Sequence, residues 1–179
     1  MRIIAGSAKG RRLETPKWEG LRPTSDRLRE TLFNILAPRV EGARVLDGYA
    51  GTGALGIEAL SREAAHVTFV EKDPRALELI GLNLERAGMK SGGNACTIVR
   101  GGFVETAEAH EGPPFDLVLL DPPYDDRALE AAVGAAGRIV SEDGLVVLEH
   151  ATRVAPPEGA IRTVKAGDSS LSFYEKRNG

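Results

Sequence analysis

The sequence holds a single cysteine, Cys96, and three histidines in 179 residues. One thiol cannot close an internal disulfide, and so few scattered thiol and imidazole groups give no spacing that reads as a metal site. Cys96 lies in the apolar run Ala95-Cys96-Thr97-Ile98-Val99 and is expected to be a small buried hydrophobe. Long hydrophobic runs are missing as well: none approaches the ~20 residues that span a bilayer. The opening Met1-Arg2-Ile3-Ile4-Ala5-Gly6 has no signal-peptide apolar core. A cytoplasmic protein without membrane or metal partners is the expectation. Tryptophan is scarce, at one residue. That one, Trp18, is expected to pin its loop by packing, with stacking on a base as the alternative. There are no internal repeats, low-complexity tracts or obvious interdomain linkers.

What is present suits one soluble globular domain with a small appendage: 42% hydrophobic and 27% charged residues, enough for a real core. The formal net charge is −3, but it is unevenly spread. Residues 1–30 carry Arg2, Lys9, Arg11, Arg12, Lys17, Arg22, Arg27 and Arg29 against Glu14, Glu19, Asp26 and Glu30. A basic N-terminal segment on an acidic body reads as a footprint for phosphates, though a solvated charged face carries the same composition. Residues 1–23 are therefore set apart as a basic hairpin and loop, and 24–179 as the main domain.

The hairpin is predicted from Arg2 to Ala5, a turn at 6–10, and a return over 11–15 stopped by Pro16. Ser25 and its neighbours offer N-caps for a helix in which Leu28, Leu32, Ile35 and Leu36 recur, ended by Pro38. That helix is expected to pack on the edge of the sheet. Five strands follow, 43–47, 66–70, 95–99, 115–120 and 144–149, alternating with helices over 54–62, 74–87, 105–110 and 128–140. A terminal hairpin over 161–164 and 171–176 closes the pattern. The fold class is α/β: a Rossmann-like, seven-stranded, mostly parallel sheet with one antiparallel strand and helices on both faces.

Two short signals carry chemistry. The first is Asp47-Gly48-Tyr49-Ala50-Gly51-Thr52-Gly53-Ala54-Leu55-Gly56, a G-x-G-x-x-G turn between a strand and a helix, with Glu71 ending the next strand. Glycines let the backbone approach a ligand, and a carboxylate about twenty residues on holds a ribose diol. Asp47 ahead of the glycines would repel a pyrophosphate and welcome an ammonium group. The second is Asp121-Pro122-Pro123-Tyr124 after the apolar strand Phe115–Leu120. Proline carries the chain out of the sheet in extended form. Asp121 and the Pro122 carbonyl then present two acceptors beside an aromatic face, which suits a planar group bearing an amine. Together these favour S-adenosylmethionine, which has a ribose, an adenine and a zwitterionic tail but no phosphate, over a nicotinamide dinucleotide. Asp47, Gly51, Glu71, Gly102, Asp121 and Glu149 all fall at strand ends on one edge, where such sheets bind ligands. Phe103 is placed there too, to stack on the adenine, with a core position as the alternative. His150 reads as a satisfied strand-end histidine.

The run Val45–Ala59 resembles motif I of class I methyltransferases, and Asp121-Pro122-Pro123-Tyr124 resembles motif IV of amino-group N-methyltransferases. Arg2-Ile3-Ile4-Ala5-Gly6, Gly10-Arg11-Arg12-Leu13, Arg22-Pro23-Thr24, Arg27, Arg29-Glu30, Leu32–Leu36 and the tail Gly167–Tyr174 resemble the RsmD family over nearly the whole chain. That resemblance implies methylation of guanine N2 in bacterial 16S ribosomal RNA of the small subunit, during ribosome maturation; a monomer is the expectation, without support from any motif. It implies a catalytic set of Asp121, Pro122 and Tyr124. The cofactor set is Asp47, Tyr49, Ala50, Gly51, Thr52, Gly53, Glu71, Lys72, Gly102, Phe103 and Asp121. The RNA-binding set is Arg2, Arg11, Arg12, Arg22, Thr24 and Arg27, contacting 16S rRNA or the assembling subunit. Two departures stand out: Tyr49 replaces a common Phe, and Gly102 replaces an Asp that holds the adenine amino group. The rival activities are a DNA adenine or cytosine amino-methyltransferase, a nucleotide-cofactor dehydrogenase and a non-catalytic RNA-binding protein on the same fold.

Overall fold

The computed structural model describes residues 1–21, 24–90, 95–123 and 126–176. Helices and strands alternate as α1 (Asp26–Val40), β1 (Arg44–Asp47), α2 (Ala54–Ser61), β2 (His66–Glu71), α3 (Pro74–Arg86), β3 (Cys96–Arg100), α4 (Phe103–Glu108), β4 (Phe115–Leu120), α5 (Asp126–Ile139), β5 (Val140–Ala151), β6 (Arg162–Ala166) and β7 (Ser169–Glu175). All seven strands join one sheet in the order β3-β2-β1-β4-β5-β7-β6. Only β7 runs against its neighbours, pairing antiparallel with both β5 and β6. The strand order reverses between β1 and β4, which pair in parallel register from Val45↔Leu117 to Asp47↔Leu119. A crevice opens at such a reversal, outside the carboxyl ends of the strands.

Two apolar layers seal the sheet. Leu28, Leu36, Ile57 and Ile80 from α1, α2 and α3 pack on one face with Val45, Leu119, Val147 and Phe173. Leu129, Ala132 and Ala136 of α5, with Phe103 and Ala107 of α4, cover Leu46, Val118, Leu120 and Val146 on the other. Gly56 lets α2 lie close on β2: a side chain there would collide with the ring of Phe69. Among the described residues no helix is long and apolar enough to cross a membrane.

The sequence misplaces three features. Pro38 does not end α1; it sits inside the helix, which runs two residues further and buries Val40. A proline in the last turn forfeits one hydrogen bond, and the apolar contact of Val40 offsets it. α1 also reaches further than the sheet edge, from the edge strand β6 across to the central β4, because its buried stripe needs a broad apolar surface. Val140, read as the end of a helix, and Ser141-Glu142-Asp143, left between helix and strand, belong to β5 and are absorbed by a register shift between Phe115 and Leu117 of β4.

The N-terminal segment pairs more sparsely than a ladder hairpin, with a single antiparallel bridge between Arg2 and Arg12. Its stability comes from docking. Ile3, Ala8 and Leu13 join the main core. The buried Glu58 carboxylate of α2 accepts the N–H groups of Ile4 (2.9 Å) and Ala5 (3.0 Å). Ser61 Oγ accepts from Ala8 N and donates to the Ala5 carbonyl. Arg29, counted above with the basic footprint, is fully buried. Its Nη2 donates to the Arg2 carbonyl (2.7 Å) and to Asp26 Oδ1 (2.6 Å). This arginine is a structural strut, since no phosphate can reach it.

Candidate active site

The carboxyl ends of β1, β2, β4 and β5 open on a cleft of about 1170 Å³, roomier than a pocket for one drug-sized ligand. Residues 18–21, the start of α1 and the β6–β7 turn form its walls. The glycine turn is fastened from beneath. Glu71 Oε2 accepts from Gly51 N (2.9 Å), while Oε1 accepts from Lys72 N (2.8 Å) and Asp73 N (2.9 Å). A carboxylate offers about four lone-pair sites, so Glu71 keeps acceptor capacity toward the cleft. Gly51 adopts φ of 54°, a left-handed conformation that favours glycine, and Leu21 rests on the spot where its side chain would stand. On the outer rim the Arg75 guanidinium lies 5.0 Å from the centroid of the half-buried Trp18 ring, so Trp18 packs against a cation and also faces the cleft.

Of the residues assigned to the cofactor, Tyr49, Ala50, Gly51, Thr52, Glu71, Lys72 and Asp121 line the cleft. Four do not. Asp47 is buried beneath the floor, its Oδ2 accepting from Gly56 N at the start of α2 (3.0 Å). Burial pushes its pKa up to about 7, against the lowering effect of that hydrogen bond and with a smaller push from Glu71. The Asp47 carboxyl therefore does not open directly on the cleft. Gly53 turns away to cap α2, under Ile80. Phe103 is core: it is 2% exposed and tilted against Tyr49 at 5.5 Å between centroids, because the first turn of α4 needs an apolar anchor. Gly102 precedes that turn, and the space a side chain would take there is filled by the Glu105 carboxylate. Glu105 also adds to the upward shift of Tyr49, whose pKa burial chiefly raises to about 12.

At the opposite wall, Asp121 is half-buried and Pro122 buried just beyond β4. The Asp121 pKa lies well above the usual carboxylate range, first through burial, then through the charges of Glu149 and Asp47. Tyr124, the third member of the proposed catalytic set, and Arg22 lie outside the described residues. Thr24 lines the cleft; Arg2, Arg12 and Arg27 are exposed. Arg11 donates to the Arg86 carbonyl at the far end of α3 (3.4 Å). The near end of α3 faces the cleft through Arg75 and Ala76, so 13 residues of helix, roughly 20 Å, separate Arg11 from it. The basic segment therefore extends well beyond the cleft.

The sequence reading passed over Glu149 as a site residue. It is 8% exposed yet lines the cleft beside Asp121, and Ser169 Oγ donates to its Oε1 (3.1 Å). Its place in the strand-end series was the available signal. Leu21, Asp168 and Ser169 were also missed; the first two belong to loops and Ser169 to the very start of β7, where no periodicity reveals their reach. Among the described residues no cluster of three or more His, Cys, Asp or Glu side chains is arranged to hold a metal ion.

Comparison with known proteins adds an independent line. The family described as conserved hypothetical protein 95 matches residues 1–175. Ribosomal RNA small subunit methyltransferase D of Escherichia coli is 44% identical over 183 residues, spanning 98% of this chain and 90% of that protein. The solved structure of a hypothetical protein from Thermus thermophilus superposes with a TM-score of 0.81 at 35% identity, over 98% of this chain and 99% of the other. The rRNA methyltransferase aviRa of Streptomyces viridochromogenes, at 19% identity and a TM-score of 0.72 over 89% of this chain and 88% of the other, shares the fold.

Proposed function

The chain belongs to the conserved hypothetical protein 95 family, in which the small subunit methyltransferase D enzymes also fall, and from that premise we propose that it transfers a methyl group from S-adenosylmethionine to the exocyclic N2 of a guanine in 16S rRNA. The observation that carries this reading is the placement of Asp121 and Pro122 across one cleft from the Gly51 turn and Glu71. The donor set suits S-adenosylmethionine. Glu71 offers an acceptor to a ribose, the Gly51 backbone permits close approach, and the charge of Asp47 beneath the floor favours a cationic tail. Glu105, seated over Gly102, is the acceptor that stands nearest the place of the missing Asp.

When bound, the cofactor supplies an electrophilic methyl on a sulfonium. The chain's own residues prepare the nucleophile. An exocyclic amine delocalises its lone pair into the ring and attacks poorly. Asp121 and the Pro122 carbonyl accept its two N–H bonds, which favours a tetrahedral nitrogen with its lone pair aimed into the cleft. Holding donor and acceptor in line supplies much of the rate. Tyr124 stacks on the base. The guanine must be unpaired or flipped to enter. Residues 1–23 act as an RNA-contacting extension, with Arg2, Arg11, Arg12, Arg22 and Arg27 on phosphates and Thr24 at the cleft mouth.

The test is methyl transfer from labelled cofactor to 30S particles, naked 16S rRNA and duplex DNA, followed by mass mapping of the product. A single N2-methylguanine in 16S rRNA is expected. Asp121→Ala should lower the rate at least ~100-fold, the scale of losing a positioned group in the transition state. Robust transfer by that variant would overturn the role given to Asp121.

A further inference from the structure

β4 and β5 run parallel with Leu120 opposite Leu148. The next residue of each chain is Asp121 and Glu149, on neighbouring backbones about 4.8 Å apart and on the same face. Both line the cleft, and the charge of Glu149 contributes to the raised pKa of Asp121, so the two carboxylates lie close. Glu149 is held in place. It is buried to within a few per cent of its surface, and the Ser169 hydroxyl of the β6–β7 turn clamps Oε1 at 3.1 Å. Glu149 also borders a small void with Thr24, Leu28 and Leu171. A base whose amine is gripped by Asp121 would therefore bring its adjoining ring edge against Glu149.

We infer that Glu149 is the specificity-determining residue for the target base, its clamped carboxylate accepting the guanine N1–H next to the amine that Asp121 holds. This rests on the reading of the cleft proposed above. Guanine presents two neighbouring donors on that edge, N1–H and the N2 amine, and two neighbouring carboxylates match them. Adenine presents its amine beside a bare N1 lone pair. A buried carboxylate facing that lone pair repels it and also loses its own hydrogen bond, which is the arrangement that discriminates most strongly between bases. The same geometry excludes adenine without any separate recognition domain. No proton is consumed at Glu149; it accepts a hydrogen bond and leaves the methyl-transfer step to Asp121.

The test uses 2-aminopurine, which keeps the N2 amine but has a bare N1. 30S particles are reconstituted with 16S rRNA carrying either guanine or 2-aminopurine at the mapped position, and initial rates are compared. The wild type should prefer guanine by about 100-fold, the upper end of what one good base contact discriminates. Glu149→Gln, whose amide can donate to a bare N1, should bring the preference below ~10-fold, by the scale of one direct base contact. Ser169→Ala, which removes the hydroxyl that clamps Glu149, should lower it several-fold, so a Glu149→Gln protein inactive on both substrates still leaves a ratio to read. An unchanged ratio in an active variant overturns the inference, even if both rates fall equally. Failure of the wild type to methylate any guanine would sink the reading beneath it, and this inference with it.

Discussion

Asp47 shows how one carboxylate can serve the site at a cost to the fold. The apolar neighbourhood at the end of β1 raises its pKa from 3.8 to about 7, so the native state holds a proton that the unfolded chain releases. Stability from this group is full below about pH 4 and is lost as pH rises through 7, because the folded form binds more protons across that window. Asp47→Asn keeps an oxygen for Gly56 N and removes the buried charge. At pH 8 the apo variant should melt roughly 5–10 °C higher than the wild type, the equivalent of a few kcal/mol for a domain of this size. At pH 4 thermal melts should coincide, while cofactor affinity at pH 8, followed by calorimetry, should drop. Residues such as Asp121, Gly51 and Glu71 were legible in the sequence because strand ends and glycine turns declare themselves. Phe103 was not, since an aromatic after a strand fits a ligand stack and a helix anchor equally well. Only packing decides between them.

Among the elements, the N-terminal segment depends most on a partner. Its backbone pairing is one bridge and a few hydrogen bonds such as Ile3 N to the Arg11 carbonyl, and its hold on α2 runs through Ser61 and through Glu58, fully buried between Arg29, Arg62 Nε (2.9 Å) and two backbone amides. Removing one member of a buried ion network costs about 3–5 kcal/mol, because the charge left behind stays uncompensated. Glu58→Ala should therefore lower the melting temperature by roughly 10 °C. Hydrogen exchange should show residues 3–13 losing protection before the sheet does. Unaltered protection there would mean that the apolar contacts of Ile3, Ala8 and Leu13 suffice. Sequence reasoning foresaw a basic hairpin set apart from the main domain. It could not foresee the anchor, because a glutamate in the middle of an amphipathic helix looks like a solvated charge until its neighbours in space are known. Arg29 misled for the same reason: counted as basic surface, it is interior.

Over the whole molecule, the alternation of strands and helices and the single reversed strand followed from periodicity, and the cleft from the reversal of strand order between β1 and β4. The bulged opening of β5 did not, since Ser141–Gly144 carries turn chemistry that the register shift accommodates. The acidic body and the exposed Arg2, Arg12 and Arg27 divide binding between a long-range basic surface and a short-range cleft. Replacing those three arginines by alanine should weaken rRNA binding and flatten its dependence on log salt by about two, at roughly 0.7 per lost contact to a single strand. The rate at saturating RNA should hold. A fall in that rate with an unaltered salt slope would place these side chains in positioning the base instead.

The last-formed strand pair has a bearing on how the protein is made. β7 is translated after β6 yet inserts between β6 and β5, so β6 has no neighbour to join until β7 has emerged. Until then β5 offers the nascent chain a bare apolar edge, the kind of surface that invites wrong pairing. The turn bearing Ser169 closes with that same insertion. A chain in which β7 has not yet inserted would thus be sticky and at the same time unable to set its Glu149 clamp, so closing the sheet edge and setting that clamp are a single event.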